Sequence, residues 1–348
     1  MKFLIYSIFF WCFFLTPQSL AKPHTPGQMI ITGFYGQYPS DPAVKKLKTF
    51  IDQKKIGGII LFGRNINHKA QLTTLVQYLK KDTAIFVAID HEGGLVNRLI
   101  DPSFQLNTPS PYDFCNLTLQ HQESQANKVS NTLKTIGINM NFGGVVDIQP
   151  MIYPSSICKD QRCYSSSDTK ISKCTAIMMA AHFKNNLYFA LKHFPGHGST
   201  SIDSHYSLPD ITLTHSDYDY MPYHHLLDPN STYDMVMVGH LLDKNIDEKY
   251  PASLSKKHIN ILKKQLHFDG LIVTDDLNMN ALHLISKHKP TLAKMAASAG
   301  NDLLLFGYLS FNDIDSILNE LSNASKMDVT FHDHMRSSLD KINLALDD

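Results

Sequence analysis

Leu187-Tyr188-Phe189-Ala190-Leu191 runs directly into Lys192-His193-Phe194-Pro195-Gly196-His197-Gly198-Ser199-Thr200-Ser201-Ile202-Asp203-Ser204-His205. The first five residues form a short apolar run, aromatic and aliphatic, which predicts a buried strand. Pro195, Gly196 and Gly198 neither extend a strand nor start a helix cheaply. Three histidines and Asp203 therefore fall on irregular backbone just past a strand end, where catalytic residues are often carried. In an extended Asp203-Ser204-His205, side chains two apart share a side. The carboxylate can then bond one imidazole nitrogen and fix the tautomer of the other, which makes a proton-transfer pair. Solvated histidines or a structural metal site are the alternative reading of the same loop.

Outward from this stretch the pattern repeats. Strand-like runs at 29–34, 58–62, 84–89, 138–142, 187–192, 235–239, 271–274 and 303–306 are mostly continuous apolar stretches, as parallel strands covered on both faces require. Amphipathic stretches at 41–54, 69–81, 121–136, 168–185, 255–266, 291–299 and 327–346 separate or follow them. Eight strand–helix units predict a single (β/α)8 TIM-type barrel with its active site at the C-terminal ends of the strands. An open doubly wound sheet is the alternative, but no Gly-x-Gly-x-x-Gly follows an early strand. The Pro-, Asn- and Asp-rich connection at 100–119 is expected to run over the surface, and the segments 149–168 and 195–216 to build the mouth.

The 348 residues carry 32 basic and 32 acidic side chains, which excludes the electrostatic footprint of a nucleic-acid binder. Hydrophobic residues make up 43%, enough for a large core. Residues 1–21 hold Lys2, an apolar run from Phe3 to Leu15 and a small-x-small ending at Ala21, the pattern of a cleaved secretory signal. The barrel is then residues 22–348, with no integral membrane segment after cleavage. Four cysteines follow the signal: Cys115, Cys158, Cys163 and Cys174. An even number in an exported chain permits disulfides, and the close spacing of Cys158 and Cys163 suggests one small closed loop. Free buried thiols are the alternative. Zinc is disfavoured because no Cys-x-x-Cys pair exists.

Polar residues gather where the strands are predicted to end: Asp90, Lys192, His193, His240, Asp275 and Asp276. Of the adjacent pair Asp275 and Asp276, one can face the barrel mouth and the other the surrounding helices, because successive strand side chains point opposite ways.

The Lys192–His205 block resembles the signature of glycoside hydrolase family 3, in its β-N-acetylhexosaminidase branch: Lys-His-Phe-Pro-Gly-His-Gly, a short spacer, then Asp-Ser-His. Three more segments resemble the same family. Thr274-Asp275-Asp276-Leu277-Asn278-Met279 matches its Ser/Thr-Asp-Asp-Leu-x-Met. Asp90-His91-Glu92-Gly93-Gly94-Leu95-Val96-Asn97-Arg98 is similar to its Asp-Gln-Glu-Gly-Gly-Arg-Val-x-Arg, with His91 and Leu95 as departures. Gly137–Asp147 follows another family segment, with Gly144 in place of a proline.

The resemblance implies that Asp275 is the nucleophile and that His205, oriented by Asp203, is the acid/base. It implies sugar binding by Asp90 and Arg98 and, more loosely, by Arg162 in Arg162-Cys163-Tyr164. Lys192 and His193, which open the signature, complete the candidate substrate-binding set. Asp147 is expected to be a structural or mouth residue. The site is implied to need no metal and no cofactor. The substrate is implied to be a glycan or peptidoglycan-derived muropeptide that loses one terminal GlcNAc, and the signal places the enzyme in the periplasm or outside the cell. A metal-dependent barrel hydrolase using His193, His197, His205, His240 and the aspartates is one rival, and a non-catalytic saccharide-binding barrel another. A family 3 glycosidase of β-glucosidase type is the nearest alternative. Nothing in the sequence indicates an oligomeric state.

Overall fold

The structure is a computed structural model that describes residues 25–150, 154–228, 231 and 233–347. The expected signal at 1–21 lies outside the described residues. Strands β1 (Ile30–Thr32), β2 (Gly58–Leu61), β3 (Phe86–Ile89), β4 (Met140–Val145), β5 (Tyr188–Phe194), β6 (Asp234–Val238), β7 (Leu271–Thr274) and β8 (Leu304–Phe306) are all parallel and each pairs with its sequence neighbour. β1 also pairs with β8, Ile31 opposite Leu305. β7 meets β8 through a parallel bridge between Val273 and Leu303, with the Thr274 amide donating to the Leu303 carbonyl at 3.1 Å. The sheet therefore closes, and the expected (β/α)8 TIM-type barrel is what the chain forms.

Every described strand residue is buried, which is why the runs read as continuously apolar. Inside and around the barrel they pack with Leu47, Leu72, Leu133, Leu292 and Ile317 of the covering helices. Those helices follow ordinary start and stop chemistry. Leu119–Ile136 is capped by the Thr118 side chain and stops at Gly137, whose φ of 98° is the left-handed conformation that glycine supplies at a helix end.

Several boundaries differ from the sequence reading. A helix at Phe311–Met327 was not expected at all; Ser310 and Asp313 form a capping box at its start. It ends at Asp328, extended at φ −132°, whose side chain accepts from the Phe331 amide and opens the last helix, Val329–Asp347. The expected helix at 255–266 forms, but as a short α-helix, Lys256–Asn260, continued as a π-helix, Ile261–Gln265. The 100–119 connection is not wholly on the surface, because Phe104 and Phe114 plug into the core.

Near the mouth, β4 and β5 slip register between Asn141 and Gly144, and β5 and β6 between Leu191 and Phe194. A side chain at Gly144 would meet the Ala190 carbonyl at 2.6 Å. Glycine there lets β4 lie tight against β5 while both strands swing their last residues toward the opening.

All four cysteines in the described part are paired. Cys158–Cys163 closes the small loop that the spacing suggested, with Cα atoms 4.8 Å apart. Cys115–Cys174, with Cα atoms 5.5 Å apart, ties the turn after the short Pro111–Phe114 helix to the Asp168–Phe183 helix. In the chain-entropy view, bridging a span of 59 residues stabilises by about 4 kcal/mol, roughly twice the five-residue bridge.

Candidate active site

At the C-terminal ends of the strands lies a cavity of about 180 Å³ lined by Asp90, Glu92, Arg98, Arg162, Lys192, His193, His205, Asp275 and Asp276, with Phe62, Met237, Met279 and Leu305 as apolar wall. A larger cleft of about 270 Å³ opens at the other end of the barrel beside Lys80, Asn139 and Tyr188, but no carboxylate lines it. In barrels of this type the strand C-termini carry the chemistry. The smaller cavity is thus the candidate site; of the proposed catalytic and substrate-binding residues only Asp203 is not part of its lining, and Asp203 is bonded to His205.

β3 and β5 supply the charged floor. Glu92 is fully buried and held by three charge-assisted bonds. Arg162 Nε donates to Oε2 and Nη2 to Oε1, both at 2.8 Å, and Lys192 Nζ lies 2.6 Å from Oε1. Lys192 Nζ also reaches Asp90 Oδ1 at 3.2 Å. Burial alone would raise the Glu92 carboxyl; the Lys192 and Arg162 charges outweigh it and hold the group at about 2. Burial works against the Lys192 ammonium as well, yet Glu92 and Asp90 lift it above its ordinary value. Arg162 is therefore delivered by the disulfide-closed loop and locked on Glu92. The guanidinium is thus spent on a carboxylate, Glu92, that the sequence reading did not single out. The signal for Glu92 was its position two residues after Asp90, on a loop of the same sign.

Asp147, just past β4, is the second hub. Its Oδ2 accepts from His193 Nδ1 at 2.7 Å, and its Oδ1 accepts from the backbone amides of His193 at 3.2 Å and His197 at 2.7 Å. The Nδ1–H bond leaves His193 Nε2 as the nitrogen free for the cavity. His197 is fully buried with its Nε2 3.1 Å from Ser204 Oγ, so it pins the residue between Asp203 and His205.

Asp203 and His205 do meet, but not on extended backbone. The Tyr206 amide donates to the Asp203 carbonyl at 2.9 Å, and Asp203 Oδ1 accepts both the His205 amide at 2.9 Å and His205 Nδ1 at 2.8 Å. The pair thus sits on a tight turn, because an aspartate bonds the backbone two residues on more readily than it extends beside Ser204. The consequence for the imidazole is unchanged: Nδ1 is fixed, Nε2 is available, and the ring, two-thirds exposed, stands on the cavity rim.

β7 ends in the two carboxylates, and they diverge as strand geometry requires. Asp276 Oδ1 accepts from the amides of Gly307 at 2.8 Å and Asn278 at 2.9 Å, which ties β7 to the end of β8. Burial raises its carboxyl, and those amides offset the rise only in part. Asp275 is half-buried; desolvation pushes its carboxyl up, but the His240 and His193 imidazoles, the Asp276 amide and the Lys192 ammonium outweigh it and hold the carboxyl below the usual range. His240 spends its nitrogens elsewhere: Nε2 donates to the Asp276 carbonyl at 2.9 Å and Nδ1 lies 2.7 Å from Ser253 Oγ. With both nitrogens of His240 committed in this way, the metal-hydrolase rival loses one of its proposed ligands. Among the described residues no group of three His, Cys, Asp or Glu is arranged to hold a metal.

Burial also makes a pH prediction. It drives His91, His182, His197 and His258 down to about 4, so all four are neutral in the folded protein. Unfolded, each titrates near its ordinary value of 6.5. Between those limits the unfolded chain binds more protons. Stability therefore rises with pH and is lost as pH falls from 6.5 toward 4, by up to about 1.4 kcal/mol per pH unit for each histidine. Glu92, a depressed carboxyl, adds its own loss only below 4.5. Thermal melts are expected to drop steeply between pH 7 and 5. A flat melting temperature over that range would show that these histidines are protonated in the fold.

The Glycosyl hydrolase family 3 N terminal domain matches residues 27–337. A beta-hexosaminidase of Bordetella avium is 30% identical over 262 residues, covering 72% of this chain and 73% of its own. That of Shewanella frigidimarina is 30% identical over 265 residues, 73% and 76%. Among solved structures, a family 3 beta-N-acetylglucosaminidase from Paenibacillus superimposes with a TM-score of 0.79 at 26% identity, covering 92% of this chain; the chain spans only 62% of that protein. A beta-N-acetylhexosaminidase from Beutenbergia cavernae, at 20% identity, a TM-score of 0.79 and coverage of 93% and 97%, shares the fold. On the family match and the curated relatives together, the chain belongs to glycosyl hydrolase family 3.

Proposed function

We propose that this family 3 glycoside hydrolase is a retaining exo-β-N-acetylglucosaminidase that removes one terminal GlcNAc from muropeptides or chitin-like oligosaccharides. The carrying observation is that an ionised strand-end carboxylate, Asp275, and a carboxylate-backed histidine, His205, open onto one cavity. Asp275 attacks the anomeric carbon while His205 Nε2 gives its proton to the departing oxygen, which leaves as the alcohol. Water then enters, gives a proton back to His205 and displaces Asp275 from the same carbon. Two inversions restore the β configuration, and the sum is glycoside plus water giving sugar plus alcohol. A neutral imidazole as base keeps a second anion away from the nucleophile. Asp90, Arg98 and the Glu92-anchored Lys192 and Arg162 offer paired polar contacts to adjacent hydroxyls, and His193 a further donor or acceptor.

The names of the curated relatives support GlcNAc over glucose. The apolar run from Phe3 to Leu15 with its small-x-small ending at Ala21, and the two disulfides, support an exported enzyme, periplasmic or secreted. Hydrolysis of an aryl β-GlcNAc glycoside against the aryl β-glucoside is the test. A preference for GlcNAc of about 100-fold or more in kcat/KM is expected, since a site that bonds the acetamido group leaves its own polar atoms unpaired when that group is missing. Equal rates, or faster glucoside cleavage, would transfer the assignment to a β-glucosidase type.

A further inference from the structure

On the rim, the cavity wall continues into an aromatic pair that the residues discussed so far leave unused. Phe62 and Gly307 line the cavity, at the ends of β2 and β8. The Arg64 guanidinium lies over the Phe62 ring at 4.5 Å and over the Tyr35 ring at 4.9 Å. Tyr35, in the loop after β1, meets Tyr308, which directly follows Gly307, edge to face with ring centroids 5.0 Å apart. Phe62, Arg64, Tyr35 and Tyr308 thus form a continuous stack from the inside of the pocket to the open rim.

The stack is held from below. Arg64 Nε donates to the Phe34 carbonyl at 2.9 Å and Nη2 to the Gly307 carbonyl at 2.8 Å, while Asn278 Nδ2 donates to the Tyr308 carbonyl at 2.8 Å. Yet the two rings stay wet: Tyr35 is 57% and Tyr308 41% exposed. Two large aromatic faces, ordered at the cost of side-chain entropy and left beside a catalytic cavity, are a surface arranged to be covered.

The pocket is small and closed below by the charged floor, so everything beyond the bond to be cut projects through the mouth. There it passes between the His205 turn on the β5 side and this stack on the β1 and β8 side, nearly opposite across the closed barrel. We propose that Tyr35 and Tyr308 form the aglycone platform of the enzyme, a binding subsite for the pyranose ring that carries the scissile oxygen. Such a ring presents a face of C–H groups to the aromatic surfaces and its hydroxyls to water. The platform rests on the glycosidase reading and adds to it a preference for a sugar as leaving group. Its contribution is binding common to ground state and transition state, so it acts on KM.

The test compares a GlcNAc-β-1,4-GlcNAc disaccharide with β-GlcNAc fluoride, whose leaving group is one atom and cannot touch the platform. In the double variant Tyr35→Ala/Tyr308→Ala, kcat/KM for the disaccharide is expected to fall about tenfold or more, chiefly through KM, while the fluoride stays within about twofold. Tyr35→Phe/Tyr308→Phe is expected to keep the disaccharide rate, since the ring and not the hydroxyl is the contact. Both positions are solvent-exposed, so the variants fold, and a matched circular-dichroism melt checks it. Equal losses on both substrates, or no loss on either, would overturn the platform. So would a selective loss of the disaccharide in Tyr206→Ala, on the opposite wall, with none in the Tyr35/Tyr308 pair. Failure of the reaction itself is separate: wild-type protein would then cleave neither substrate.

Discussion

Asp275→Ala is expected to lower kcat by about 10⁴-fold or more while the melting temperature hardly moves. The two halves of that statement come from the same geometry. Asp275 is a half-buried carboxylate kept ionised by its neighbours; it accepts from the next residue's amide at 2.8 Å, so its removal costs the fold about one ordinary hydrogen bond. Asp276 is the reverse case. Its carboxylate ties β7 to Gly307 of the β8 end, and Asp276→Ala is expected to lose stability first. A 5-fluoro glycosyl fluoride, which forms the glycosyl-enzyme and slows its hydrolysis, should label Asp275 in a peptide map. A label on Asp276 would exchange the two roles.

For His205→Ala the expected loss depends on the leaving group. Substrates whose alcohol departs only as a protonated species should slow by about 10³-fold, within the usual range for a lost general acid, whereas an aryl glycoside with an acidic phenol should form the glycosyl-enzyme nearly as fast as before. The second step, which needs His205 as base, then becomes limiting. Azide needs no deprotonation to attack, so it should restore turnover and yield β-glycosyl azide, reporting retention and the missing base together. Asp203→Asn keeps the turn but weakens support for the imidazolium, and is expected to fall between wild type and His205→Ala. A uniform loss across leaving groups with no azide product would make His205 a binding residue and move the proton shuttle to His197. That residue's burial, which drives it to about 4, makes it the weaker candidate.

The barrel was legible because parallel strands covered on both faces leave an unmistakable residue pattern, and all eight strands stand within a few residues of where the apolar runs place them. Helices were less so. Phe311–Met327 passes unread unless its capping residues Ser310 and Asp313 are recognised, whereas Val329–Asp347 stands out as an amphipathic stretch. In the site, the strand-end polar residues located the chemistry, but sequence order hides which charge answers which. Arg162 finds Glu92 seventy positions away, and Lys192 bridges Glu92 and Asp90 across two strands. Such pairings are created by barrel closure and have no local signal. The Cys115–Cys174 bridge was invisible for the same reason, whereas Cys158–Cys163 lies within a single turn.

Asp147 has a practical meaning for anyone wishing to rebuild this enzyme. One carboxylate carries both the cavity imidazole of His193 and, through the His197 amide and the His197–Ser204 contact, the foot of the turn that presents His205. From the end of β4 it acts as a common datum for the last residues of β5 and for the loop that follows them. A loop taken from a relative to change the mouth can therefore begin after Gly198 and still be delivered in register, provided that Asp147, His193, His197 and a hydroxyl at Ser204 stay in place. A graft beginning three residues earlier discards the reference from which the donor loop would have to be positioned.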